Sequence, residues 1–441
     1  MQVQLPWGSD HLTVEVPDSW TLHFPEREGR AGAPQDKSAE LQIVRGALDK
    51  PLGARALTEI KFRAKRILII VDDITRPTPV HKFFHLLLQD LKKAGANFDN
   101  ITVVPALGIH TPMSREEMAE KIGEKNLDRI NWDNHYPFDV VKLQFVGETS
   151  RGTRVVLNRL ISEADFIITI GLVEPHLWAG FGGGMKNILP GLASAETIGA
   201  HHSIIAKAPY MFSAAGIPPE KNPFRQELEE VKGMIEAPIF CLNVVIDHDK
   251  NIVGAFAGNP ISCHREAVKL NNRISGLRLD RQMDGIIVNS FPMDINFKQS
   301  MKGVGNSLPA LRPGGAVMGF LRAERGLDDI TPSEDYKPLW MVKTILRLLG
   351  PSRVYWFLEK VKKGLNVEEK FLVYYSMQLI RAYDLFFYVP TVTDIEVKKL
   401  GFFVASHDPQ GVIDQAVKKI GPDAHVAVFR EAGATFPIVT S

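Results

Sequence analysis

Cysteine is nearly absent: Cys241 and Cys263 are the only two in 441 residues. They stand in no CxxC spacing, which excludes a disulfide scaffold and a thiolate metal site and fits a reducing compartment. Also missing is any uninterrupted apolar run of about 18 residues, the length that spans a bilayer as a helix. The opening MQVQLPWGSDHLTVEVPDSW has neither the basic start nor the apolar core of a secretory leader, so we expect a cytoplasmic protein. An excess of one charge is lacking too. Lys plus Arg number 52 against 51 Asp plus Glu, a formal net charge of +1, which supplies no long-range attraction to nucleic acid or to an anionic membrane. Neither is expected as a partner; a small molecule is. No fixed-period repeat or low-complexity tract is present.

What the chain does have is length for two cores of roughly 150 to 250 residues each, and an apolar content of 45% to fill them. After a strand-like HLTVEVP and a polar loop, a rhythm begins. RILIIVDD is a short β-branched run, HKFFHLLLQDLKKAGA has helical period, and ITVVPALG is a second apolar run. The next helix opens at SREEMAEKIG, where Ser114 and Glu117 form the S-x-x-E capping box. ADFIITIG and PIFCLNVVID read as further strands. Runs that are apolar on both faces and alternate with helices predict a parallel sheet covered on each side, a doubly wound α/β domain. A polar helix and connection follow at CHREAVKLNNRISGLRLDRQMDG. The alternation then restarts with GIIVNS, GGAVMGFL, RVYWFL, LFFYVP, GFFVAS and AHVAVF as candidate strands and NVEEKFLVYYSMQLIRAY as a long helix. We therefore expect two α/β domains with mainly parallel, helix-flanked sheets, residues 1–277 and 278–441, and a site in the cleft between them.

Ligands of open parallel sheets bind beyond the carboxyl ends of the strands, and three such ends carry polar residues. RILIIV runs into Asp72, Asp73, Thr75 and Arg76; ITVVPALG runs into His110; ADFIITIG runs into Glu174 and His176. Each has an ordinary structural use, as a turn, an ion pair or a solvated histidine. Their coincidence at equivalent ends is what points to a site. Beyond His176 comes the glycine cluster Gly180, Gly182, Gly183 and Gly184, then Lys186, then His201 and His202. Glycines let backbone N–H groups approach an anion, and a following helix would add its positive end, so a phosphate is expected there. The loop lacks the GK[ST] ending of a Walker loop and does not complete G-x-G-x-x-G, which disfavours an ordinary nucleotide or dinucleotide site. The histidine pair could ligate nickel, copper, iron or zinc. In the second half, Lys298, Gln299 and Lys302 follow the strand GIIV, and two lysines with an amide suit a substrate carboxylate.

Taken together, LTVEVPD, DDITRPTP, ALGIHTPMSREE, EPHLWAGFGGGMKNILPG, SAETIGAHH and FPMDINFKQSMKG resemble the nickel-pincer-dependent lactate racemases and their 2-hydroxyacid racemase relatives, along nearly the whole chain. The most specific stretch has His176, Lys186 and His202 in that order at intervals of ten and sixteen. The resemblance implies nickel held by a nickel-pincer mononucleotide, with Lys186 as its covalent attachment point and His202 as the protein ligand. It implies that His110 and His176 are the two acid/bases, that Asp73 and Arg76 form the cofactor and substrate wall, and that Gln299 and Lys302 orient the substrate. Gly182, Gly183 and Gly184 would bind the mononucleotide. His201 has no counterpart role.

The implied reaction is racemisation or epimerisation of a small 2-hydroxyacid by hydride transfer through a 2-oxoacid, with cofactor-biosynthesis enzymes needed for maturation. Two histidines suit it, because each enantiomer presents its hydroxyl to a different side and needs its own base. The chain departs from the family pattern at Gly182, where a serine is usual, and at Lys298, where the lactate enzymes have a tyrosine. The added ammonium at Lys298 suits a substrate with a second carboxylate or several hydroxyls, putting lactate itself in question. Two other functions fit the residues: a zinc hydrolase or lyase using His176 and His202, and a non-catalytic protein that binds a hydroxyacid or nucleotide.

Overall fold

Every residue of the strands Ile67–Asp72 and Phe166–Leu172 is buried, the condition of strands covered by helices on both faces. The computed structural model describes residues 1–27, 29, 37–206, 213–247, 249–328, 330, 332, 334, 336–361 and 376–440. In it these two strands lie at the middle of a six-stranded sheet. Its order is Ile252–Gly258, Ile239–Ile246, Phe166–Leu172, Ile67–Asp72, Ile101–Ala106, Asn131–Trp132. All neighbours run parallel except the first pair, which is antiparallel. Helix Val80–Lys93 covers one face through Val80, Phe83, Phe84, Leu87, Leu88 and Leu91, spaced three or four apart and all buried. Each such side chain contributes about 1.5–3 kcal/mol by leaving water. Helix Arg115–Ile122 begins at the expected capping box of Ser114 and Glu117.

A second six-stranded sheet is parallel throughout, in the order Val404–Ser406, Asp384–Tyr388, Leu311–Phe320, Met283–Asn289, His425–Phe429, Thr21–His23. The expected fold class, two α/β units with mainly parallel sheets, is therefore what the chain adopts. Sheet membership does not follow chain order at the start. Val3, Leu5, Val14, Val16 and Trp20 pack on the second sheet with Ile287, Met318 and Phe320. The halves are joined where Gly276–Leu279 pairs in parallel with Phe436–Val439 and where Phe181 meets Phe436 edge-on at 5.5 Å.

One predicted strand is wrong. RVYWFL lies within the helix Pro351–Val361; proline at the first helical position supplies the fixed φ that a helix start accepts, which outweighs the strand-like composition. Of NVEEKFLVYYSMQLIRAY, residues 376–382 are helical and 366–375 lie outside the described residues. Among the described residues no helix is long and apolar enough to cross a membrane.

Candidate functional site

Because Phe166–Leu172, Ile67–Asp72 and Ile101–Ala106 are parallel neighbours, their carboxyl ends emerge side by side. The residues after them line one cavity of about 230 Å³, with Asp73, Arg76, His110, His176, Gly182, Gly183, Lys186 and His202 on its wall. Asp72 and Glu174 line it too, so the structure brings together ten of the residues singled out in the sequence. Gly184, Lys298, Gln299 and Lys302 are not on that lining.

Asp73 and His110 form the first working pair. Asp73 Oδ2 lies 2.8 Å from His110 Nδ1, and its Oδ1 accepts from the Thr75 amide at 2.8 Å and from the Thr75 hydroxyl. Burial alone would raise the Asp73 carboxyl, but the hydrogen bonds from His110 and Thr75 and the charge of Arg76 outweigh it and hold Asp73 well below the usual carboxylate range. An ionised carboxylate at Nδ1 keeps the proton on that nitrogen and the lone pair on Nε2.

His176 is prepared the other way round. Its Nδ1 accepts from the amides of Trp178 at 3.3 Å and Ala179 at 3.2 Å, which places the proton of the neutral ring on Nε2. Burial, then the positive charges of Lys186 and Arg76, push the imidazolium well below its ordinary value, so the ring is neutral. Beside it, Arg76 is paired with Glu174 at 2.7 Å.

The glycine loop departs from expectation. The amide of Gly182 is bonded to Glu174 O at 2.8 Å and that of Gly184 to Asn243 Oδ1 at 2.9 Å. The helix expected to follow is a single 3-10 turn, Gly184–Asn187. Two of the loop's amides are therefore spent inside the fold, and no helix end of useful length adds charge. The glycines are required by packing instead: a Cβ on Gly182 would lie 2.6 Å from Leu172 O, and one on Gly183, at φ +68, 2.6 Å from Asn243 Oδ1.

The fully buried Arg225 donates to the carbonyls of Ala179 at 3.2 Å, Gly183 at 3.3 Å, and Phe181. His264 Nε2 lies 3.0 Å from Gly182 O and fastens the same loop. Lys186 rides on this scaffold. Burial, then the charges of Arg76 and Arg225, lower its ammonium well below the ordinary lysine value.

Both histidines of the pair sit on helix Ala195–His202. His201 is buried and bonded to Phe224 O at 3.0 Å, a core residue. His202 Nδ1 donates to Ile198 O at 2.8 Å, fixing the tautomer whose Nε2 carries the lone pair, as metal-ligating histidines require. Burial, and then His201, push its pKa down to about 3, so a proton does not compete for that lone pair at neutral pH.

Helix Phe297–Ser307, capped by Asn296, carries Lys298, Gln299 and Lys302. Lys298 and Lys302 are exposed and one turn apart. The cleft walls and the Arg76 charge lower Lys302 to about 8, while Glu174 and Asp73 act in the opposite sense. Its ammonium therefore shares the field of the rim without lining the cavity. Sequence reasoning missed Lys121, Arg225, Asn243 and His264, since each lies within an ordinary helical or strand pattern.

Residues 7–213 match the lactate racemase N-terminal domain. The lactate racemase of Thermoanaerobacterium thermosaccharolyticum is 31% identical over 320 residues, 72% of this chain and 73% of that protein. The chain belongs to the lactate racemase family. A second member, the lactate racemase of Lactiplantibacillus plantarum, is 28% identical over 74% of this chain and 75% of its own. The lactate racemase apoprotein structure from T. thermosaccharolyticum superposes with a TM-score of 0.80 at 24% identity, covering 99% of this chain and 100% of that one, which shows the same fold. Membership in this family makes the protein an isomerase and sets aside the hydrolase and the non-catalytic readings. Among the described residues, moreover, no three His, Cys, Asp or Glu side chains gather as a metal site.

Proposed function

We propose that the protein is a nickel-dependent 2-hydroxyacid racemase or epimerase. The observation that carries this reading is one cavity holding two imidazoles prepared oppositely, His110 with a lone pair on Nε2 and His176 with N–H on Nε2. The same wall carries Lys186 and His202. Since no three protein ligands gather among the described residues, a metal in this cavity would take most of its donors from a bound group, with His202 Nε2 supplying one. A buried Lys186 whose ammonium is disfavoured by burial and by Arg76 and Arg225 suits covalent attachment of that group. The residues present thus fit a nickel-pincer mononucleotide, with Gly182 and Gly183 as close walls and Gly184 behind them. When bound, that group supplies a ring carbon that accepts hydride from C2 of the substrate and returns it.

The protein's own part is proton handling and orientation. His110 Nε2 takes the hydroxyl proton of the enantiomer facing it. His110, then protonated, can return that proton, while His176 Nε2–H hydrogen-bonds to the substrate oxygen from the opposite side. To serve as base for the other enantiomer, His176 must take the tautomer with its proton on Nδ1, releasing the Trp178 and Ala179 amides. Arg76 and Lys302 hold the carboxylate while the 2-oxoacid carbonyl turns, so that the second face is presented without release. Gln299 and Lys298 orient the remainder of the substrate.

The test is intact mass and bound metal after expression beside the cofactor-biosynthesis enzymes that maturation needs. A mononucleotide-sized adduct on the Lys186 peptide with about one nickel per chain is the expected result. His202→Ala should lose the metal, and His110→Ala should retain it and lose turnover. A chain with neither adduct nor nickel would end the proposal.

A further inference from the structure

Lys121 is 3% exposed, sits on helix Arg115–Ile122, and has no part in the chemistry described so far. Its ammonium has three partners. It donates to the backbone carbonyls of Asp73 and Arg76, each at 3.0 Å, and lies 2.7 Å from Asp72 Oδ1, an ion pair outside hydrogen-bond alignment. Two of its three N–H groups thus meet carbonyls, and its charge meets a carboxylate. The other oxygen of Asp72 accepts from Thr78 Oγ1 and from the Leu172 amide at 3.2 Å, tying the ends of two neighbouring strands.

The consequence lies in which way the loop after Ile67–Asp72 faces. The carbonyls of Asp73 and Arg76 turn back to Lys121, and their side chains turn forward, Asp73 to His110 and Arg76 to Glu174. We infer that Lys121 is the positioning residue of this wall: by binding the two carbonyls it sets the backbone from which the Asp73 carboxylate aims at His110 Nδ1 and the Arg76 guanidinium at Glu174. A lesser role would be to neutralise the buried Asp72 carboxylate and nothing more. The two roles separate when Asp72 and Lys121 are neutralised together, which removes the charge imbalance but leaves both carbonyls without their donor.

The experiment compares wild type, Asp72→Asn/Lys121→Met and Lys121→Arg, each produced with the cofactor-biosynthesis enzymes. Thermal midpoint, the nitrogen-15 imidazole spectrum of His110 (assigned against His110→Gln) and racemisation kinetics are read on all three. The double variant should unfold at a lower midpoint, as two unpaired carbonyls require, lose the Nδ1–H signature of His110, and fall roughly 100-fold in kcat with a smaller rise in KM, the scale of a misplacement of about 1 Å.

Lys121→Arg keeps the charge beside Asp72, but a longer planar head cannot meet both carbonyls; it should fold normally and also lose the signature. A double variant or an arginine variant with a wild-type imidazole spectrum would overturn the assignment. If the double variant fails to fold, Lys121→Arg decides alone. The kinetic readout rests on the racemase reading and the imidazole readout does not. An inactive wild type whose His110 signal still depends on Lys121 would therefore sink the function and keep the inference.

Discussion

The two sides of the cleft are built on opposite plans. On the side of the first sheet, His110, His176 and Lys186 stand on loops whose backbone is tied down by buried side chains: Lys121 on Asp73 and Arg76, Arg225 on Ala179, Phe181 and Gly183, His264 on Gly182. On the side of helix Phe297–Ser307, Lys298 and Lys302 are exposed and, in the proposed reaction, would act through charge. Proton transfer tolerates little misplacement, whereas holding a carboxylate by Coulomb attraction tolerates much more. The difference predicts large, geometry-sensitive losses on the first side and graded, pH- and salt-sensitive changes on the second.

The largest effect should come from the imidazoles themselves. His110→Gln and His176→Gln should each lower kcat by roughly 10³-fold, within the range a positioned acid or base contributes, in matured enzyme with nickel content unchanged. Measured separately from each enantiomer, the two losses should be unequal for single-turnover formation of the bound 2-oxoacid, if each histidine serves one face as proposed. Equal losses from both enantiomers in both variants would contradict the division of labour assigned to them.

Next in size is the scaffold of the same side. Arg225→Met would strip the donor from three loop carbonyls, and each buried carbonyl left unpaired costs about 1–3 kcal/mol. A loss of roughly 3 kcal/mol or more in denaturant unfolding is expected. Recovery of wild-type stability in Arg225→Met would show that the loop does not depend on that clamp. No comparable cost should follow from removing Lys298 or Lys302.

How much of this was readable beforehand follows the same division. The strand ends carrying Asp73, His110 and His176 were legible because runs such as RILIIV and ADFIITIG are apolar on both faces, and ligands gather where such strands end. The scaffold was not. Lys121 and Arg225 occupy helices whose spacing makes a charged residue read as solvent-facing, and only the tertiary fold buries them against carbonyls. The glycines were legible as special positions, but the packing that requires them, against Leu172 O and Asn243 Oδ1, was not, since only the fold brings those atoms to the loop. RVYWFL failed for a local reason: its aromatic and β-branched composition matches strands, but Pro351 at the first helical position starts a helix there.

On the second side the test is pH. An ammonium is charged below its pKa and neutral above it, so with Lys302 at about 8 the KM for a 2-hydroxyacid should be flat to about pH 7. It should then climb above about pH 8 and level off once the ammonium is lost, since Arg76 still holds the carboxylate. Lys302→Arg keeps its charge throughout this range and should abolish the climb while leaving the kcat profile in place. A rise of the same size in the arginine variant would remove Lys302 from carboxylate binding.

The smallest effect belongs to Lys298, one turn before Lys302 on an exposed face. Its positive charge is among the influences that lower Lys302, so Lys298→Gln should let the Lys302 ammonium hold its proton to higher pH and move the onset of the KM climb upward. At neutral pH an exposed charge of this kind contributes about 0.2–1 kcal/mol, which is at most a few-fold in KM for a monocarboxylate such as lactate. A 2-hydroxyacid with a second carboxylate would meet both ammonium groups and should lose more on the same substitution, and the excess should shrink as salt is raised. Equal losses for the mono- and dicarboxylate at low salt would place Lys298 outside substrate recognition and make its charge a modulator of Lys302 alone.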